Sequence, residues 1–111
     1  LREQSEQSSA FEIRRGSLLI NTEQHYCKLD GENIDLTFSE FEILSHFAKH
    51  PGRVYTRNQI IQRIKGDGYP VTERSVDVQI VNLRKKLGEW GTKNIETIRG
   101  IGYRMKQENW Q

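Results

Sequence analysis

The sequence has one cysteine, two prolines and no apolar run longer than the three residues Leu18-Leu19-Ile20. A single thiol, Cys27, excludes an internal disulfide framework and a structural zinc site built on several thiolates. It fits a reducing, cytoplasmic setting. Three consecutive apolar residues fall far short of the roughly 20 that span a bilayer, and the polar stretch Leu1–Ala10 is no secretory leader. Few prolines and nine glycines in 111 residues exclude a fibrous or low-complexity chain. No internal period of 20–50 residues recurs, which excludes a solenoid. No nucleophile, base and orienting group form a recognisable constellation, so the chain reads as non-enzymatic. No cofactor is implied. Neither His25 with Cys27, expected on one face of a strand, nor His46 with His50 gathers enough ligands for a metal site.

What the chain does have is charge, unevenly placed. Residues 1–52 carry five basic and nine acidic side chains, whereas residues 53–111 carry twelve basic and six acidic. A sign split of this kind points the C-terminal half at a polyanion. The length predicts one domain. Residues 1–10, rich in Ser, Gln and Glu, read as a linker, 11–106 as the folded unit and 107–111 as a tail. Leu rather than Met stands first, which suggests a segment cut from a longer polypeptide.

Four short runs with strand character follow the linker: Phe11–Arg15, Ser17–Ile20, His25–Leu29 and Asn33–Leu36. Turn signals separate them, Asp30-Gly31 being a favoured hairpin pair because glycine takes positive φ freely. A small antiparallel sheet is expected. The period then changes. Thr37 and Glu40 have capping-box spacing, and Phe41, Leu44, Phe47 and Ala48 form a stripe that His50-Pro51-Gly52 ends. Val54-Tyr55 is a short extended piece. Thr56 and Gln59 form a second capping box, before Ile60, Ile61 and Ile64.

The third helix is the most informative. Thr72 is its N-cap, Val76, Ile80, Leu83 and Leu87 form a narrow apolar stripe, and Gly88 stops it. The opposite face holds Arg74, Ser75, Val78, Gln79, Val81, Asn82, Lys85 and Lys86. Asp77 is expected to form a structural ion pair, with Arg74 as its candidate partner. Trp90 should cover the edge of the core. Ile95–Ile98 and Tyr103–Met105 then form a hairpin around Arg99-Gly100-Ile101-Gly102. A helix that is dry on one side and polar and cationic on the other fits the DNA major groove. An arginine at a glycine-rich tip suits the negative potential of a narrow minor groove. The competing reading is a protein-binding module anchored by Val78, Val81 and Ile101.

The segments Leu36–Leu44, His50–Arg57, Arg74–Ile80, Leu83–Leu87 and Thr97–Arg104, in this order and spacing, resemble the C-terminal effector domain of OmpR/PhoB-type response regulators. The resemblance implies an α+β winged helix-turn-helix: an N-terminal four-stranded antiparallel sheet, three helices and a C-terminal β-hairpin wing. It implies a transcription regulator of a two-component system that binds double-stranded DNA at tandem half-sites. A preceding receiver domain would dimerise the full-length protein. Val76 to Leu87 would be the recognition helix. Arg74 and Ser75 would stand at the groove entrance, and Val78 and Asn82 would face bases. Gln79, Lys85 and Lys86 would meet phosphates. Thr97 and Tyr103 would hold the backbone from the wing, and Arg99 would enter the minor groove. The loop that includes Lys65, Gly66, Asp67, Gly68 and Tyr69 corresponds to one associated with RNA polymerase contact. The sequence departs from the family pattern at Lys65, often Trp, at Gln79, often His, and at Val81 and Asn82, often basic or otherwise polar.

Overall fold

The computed structural model describes residues 11–64 and 72–107. The expected linker, the loop 65–71 and Trp110 lie outside them. Four short strands come first: β1 (Glu12–Arg15), β2 (Leu18–Asn21), β3 (Tyr26–Leu29) and β4 (Glu32–Asn33). They pair in chain order as an antiparallel sheet. Asp30 and Gly31 both take positive φ, 53° and 83°, which is the backbone a tight hairpin between β3 and β4 requires. The fourth run is shorter than its sequence suggests. One further bond, from the Ile34 amide to the Cys27 carbonyl (2.8 Å), extends the ladder, and the chain then leaves for the first helix with Ile34 and Leu36 packed against the core.

Helix α1 (Phe38–Lys49) starts as expected at Thr37. The Thr37 hydroxyl accepts from the Glu40 amide (3.2 Å), and the Glu40 carboxylate accepts from the Thr37 amide (2.9 Å). Ile43 is buried together with the expected stripe, because α1 packs on both the N-terminal sheet and the later helices. Arg15 Nε donates to the Ala48 carbonyl (2.8 Å), which satisfies one of the free acceptors at the end of α1 from β1. Helix α2 (Arg57–Ile64) shows the second reciprocal cap, between Thr56 and Gln59.

Helix α3 (Glu73–Asn94) is capped by Thr72 and winds regularly as far as Gly88, where the sequence expects it to stop. Gly88, at φ 63°, breaks the regular winding, and one more helical turn leads to the strand β6 (Ile95–Ile98). Trp90 packs against the core from that turn. Strands β6 and β7 (Gly102–Met105) form the expected hairpin. A third strand, β5 (Tyr55–Thr56), pairs with β7, so the hairpin belongs to a three-stranded sheet of order β5-β7-β6. One core joins both sheets and all three helices through Leu18, Ile20, Phe47, Tyr55, Ile80 and Met105 among others. No helix among the described residues is long and apolar enough to cross a membrane.

His25 departs from expectation. It precedes β3 in a left-handed conformation, φ 61°, instead of lying on the strand. Its ring meets Phe41 edge-on at 3.8 Å between centroids and lies alongside Phe38. Cys27 is buried, and that burial pushes its thiol up to about 11. The two side chains therefore do not share a strand face.

Candidate nucleic-acid interface

The first turn of α3 is fixed by a reciprocal cap. The Ser75 amide donates to Thr72 Oγ1 (3.2 Å) and the Thr72 amide to Ser75 Oγ (3.0 Å). The Ser75 hydroxyl also donates to the Thr72 carbonyl (2.8 Å), so this candidate contact residue doubles as a cap. Beyond the cap, Val76, Ile80, Leu83 and Leu87 are fully buried, as the stripe predicts. Their burial turns the rest of the helix outward. Arg74, Val78, Val81, Asn82, Lys85 and Lys86 are exposed, and Ser75 and Gln79 are half-buried.

The exposed candidates are not equivalent. Lys86 Nζ lies 2.7 Å from Oε1 of Glu40, the capping carboxylate of α1, which is 3% exposed. Its charge serves a tertiary ion pair between α3 and α1. Arg74 and Lys85 stand on the outward face, one at each end. Their charges there complement an anionic partner.

Side chains hold the wing to α3, beside one backbone bond from the Lys106 amide, just past β7, to the Asn94 carbonyl at the end of α3 (2.7 Å). Asp77 Oδ1 accepts hydrogen bonds from the Tyr103 hydroxyl (2.6 Å) and from Arg57 Nε (2.7 Å). The expected ion pair at Asp77 exists, but its partner is Arg57 at the start of α2, not Arg74. Asp77 is turned toward α2 and the wing, whereas Arg74 lies on the outward face. These two donors, Tyr103 first, hold the Asp77 carboxyl below its usual range. Burial, then the bond to Asp77, raises the Tyr103 phenol.

Arg84 makes the second tether. Its guanidinium donates to the Ile95 carbonyl (2.7 and 3.1 Å) and to Thr97 Oγ1 (2.8 Å). Arg57 and Arg84 each stand 5.8 Å from the centre of the Tyr103 ring, within cation–π range. Tyr103 is thus buried and anchored by Asp77 from one helix and two guanidiniums. Thr97 remains exposed on β6.

At the wing tip, Arg99 is exposed, Gly100 has φ 77°, and the Ile101 amide closes the turn on the Ile98 carbonyl (2.9 Å). The base of the tip is pinned by a close approach. A Cβ on Gly102 would lie 2.0 Å from the Tyr55 carbonyl oxygen of β5. Only glycine lets β5 and β7 meet there.

The structure therefore places Arg74, Val78, Val81, Asn82 and Lys85 on one outward helix face, with Arg99 on the exposed tip of the tethered wing. The residues that set this arrangement, Arg57, Asp77 and Arg84, are missed as a group by sequence reasoning. The Arg57–Asp77 and Asp77–Tyr103 separations are 20 and 26 positions. Neither capping spacing nor periodicity links residues so far apart.

Residues 31–105 match the family model described as "Transcriptional regulatory protein, C terminal". The phosphate regulon transcriptional regulatory protein PhoB of Pseudomonas aeruginosa is 37% identical over 97 residues, 87% of this chain and 42% of PhoB. The heme response regulator HssR of Staphylococcus aureus is 39% identical over 102 residues, 89% of this chain and 45% of HssR. The chain thus spans less than half the length of these relatives. Among solved structures, the Klebsiella pneumoniae RstA DNA-binding domain, crystallised with the RstA box, superposes with a TM-score of 0.74 at 36% identity. That match covers 86% of this chain and 96% of the other.

Proposed function

Because the chain belongs to the family of transcriptional regulatory C-terminal domains, the OmpR/PhoB-type effector domains of response regulators, we propose that it binds double-stranded DNA sequence-specifically to regulate transcription. The family is one of transcription regulators, not of enzymes. The observation that carries the reading is the outward face of α3, polar and cationic over a fully buried stripe, beside a tethered wing with Arg99 at its tip.

In this reading α3 enters the major groove, which accepts one helix. Val78 and Asn82 face bases, Arg74 and Ser75 stand at the groove entrance, and Gln79 and Lys85 meet phosphates. Val81 shares the outward face. Lys86 reaches a phosphate only by leaving Glu40. Thr97 holds the backbone from the wing. Tyr103, expected beside it, is buried with its hydroxyl donating to Asp77 and positions the wing instead of touching DNA. Arg99 takes the minor groove, where negative potential is concentrated. The related RstA DNA-binding domain, crystallised with the RstA box, supports DNA as the ligand. Two copies on tandem half-sites, a dimeric full-length protein, a cytoplasmic location and an RNA polymerase contact through Lys65–Tyr69 complete the proposal. Their support is the family membership alone.

Binding measured against salt tests it. Each phosphate neutralised contributes a slope of about −0.9 in log K against log salt, and a specific site should outcompete random duplex by at least about 10³. A flat salt response with no preferred duplex overturns the reading. It would favour instead a protein partner seated on Val78, Val81 and Ile101, which are 53%, 48% and 54% exposed.

A further inference from the structure

The centre of the outward face of α3 is apolar where a solvated helix would be polar. Val78 and Val81 stand at positions i and i+3, and Asn82 follows at i+4 from Val78, so the three share one ridge. Valine gains nothing from water and is a mediocre helix former. The rise from Val78 to Val81 is about 4.5 Å, little more than one base-pair step of about 3.4 Å. Arg74 lies four residues before Val78 and Lys85 four residues after Val81, so cations bracket the apolar centre. That bracketing suits a duplex better than an apolar protein surface.

Chemistry at the ridge discriminates between bases. A side-chain amide pairs with the N6 and N7 edge of adenine, and an isopropyl group packs on the C5-methyl of thymine. Guanine is read by paired donors from Arg or Lys, and none of the three central side chains supplies them.

Resting on the DNA-binding reading above, we propose that the ridge Val78-Val81-Asn82 selects a run of neighbouring A·T pairs. The two valines cover methyl groups of adjacent thymines, and the Asn82 amide holds an adenine beside them. Specificity at the centre of the half-site then comes from methyl contact and one amide, with the cations of Arg74 and Lys85 left to the phosphates.

The test begins by selecting duplexes bound by the 111-residue chain from a random library. Each consensus thymine is then replaced by deoxyuridine, which removes only the methyl group. The expected consensus contains adjacent A·T pairs. Uracil at two of these positions should weaken binding by about three- to fourfold each, the equivalent of one buried methyl-sized group. Val78→Ala should abolish the penalty at one thymine and Val81→Ala at the other, with the remaining penalty intact in each. Both sites are exposed and alanine favours helix, so the variants retain the fold. A consensus with guanine facing the ridge, or uracil tolerated at every position, overturns this proposal and leaves specific DNA binding standing. A library that yields no consensus overturns both.

Discussion

The Tyr103 hydroxyl donates a 2.6 Å hydrogen bond to Asp77, joining the wing strand β7 to the outward-facing helix α3. Arg57 closes the same carboxylate from α2 at 2.7 Å. In the proposed binding mode the helix and the hairpin must keep a fixed separation, and this contact helps set it together with the Arg84 tether. Removing the hydroxyl in Tyr103→Phe should cost about 1 kcal/mol, since the site is partly solvated. It should also weaken duplex binding more than it weakens stability. A variant that loses stability but binds DNA normally would contradict the positioning role.

The same pair has a defined pH window. The folded Asp77 has a lowered pKa, so its contribution is full above the ordinary carboxylate value near ~3.9 and is lost as pH falls through the lower folded value. The folded Tyr103 has a raised pKa, so its contribution is full below ~10 and is lost as pH rises through the higher folded value. The stability difference between the parent chain and Tyr103→Phe should therefore be flat from about pH 5 to 9. It should shrink at both extremes in denaturant titrations; a difference that persists in strong acid would count against the ion-paired hydrogen bond.

Lys86 neutralises Glu40, a carboxylate already held by the Thr37 amide and shut away from water. Lys86→Ala leaves that charge without its counterion and should destabilise by about 1–3 kcal/mol. Glu40→Gln in the same chain should recover part of the loss, with a coupling of about 0.5–3 kcal/mol in a double-mutant cycle. Strict additivity of the two substitutions would show that the pair does not act as one.

Gly102 is needed for space. An added Cβ would collide with the Tyr55 carbonyl, so Gly102→Ala should part β5 from β7 and cost about 1–3 kcal/mol. Amide exchange should accelerate at Tyr55 and Tyr103 before it does so in α1. Unchanged protection there would mean that the strands can shift without parting.

Arg99→Ala tests the wing tip. Its side chain is exposed and contributes little to the core. The variant should be as stable as the parent, weaken binding across many sequences and reduce the salt slope by about one unit. An unaltered slope would remove Arg99 from the interface.

Elements with a local cause are legible from the order of residues alone. The caps at Thr37, Thr56 and Thr72, the Asp30-Gly31 turn and the stripe Val76-Ile80-Leu83-Leu87 each involve residues a few positions apart, or one helical period. Backbone stereochemistry and burial then leave few alternatives, and the outward face of α3 follows as the complement of the stripe. The packing of the folded chain settles which distant groups meet. It chose Arg57 over Arg74 for Asp77, gave Lys86 to Glu40, brought β5 alongside β7 and ended the β4 ladder early. Such contacts depend on how the two sheets and three helices share one core. Charges and hydrogen-bonding groups with many chemically suitable partners are assigned by that geometry, and no spacing along the chain encodes it.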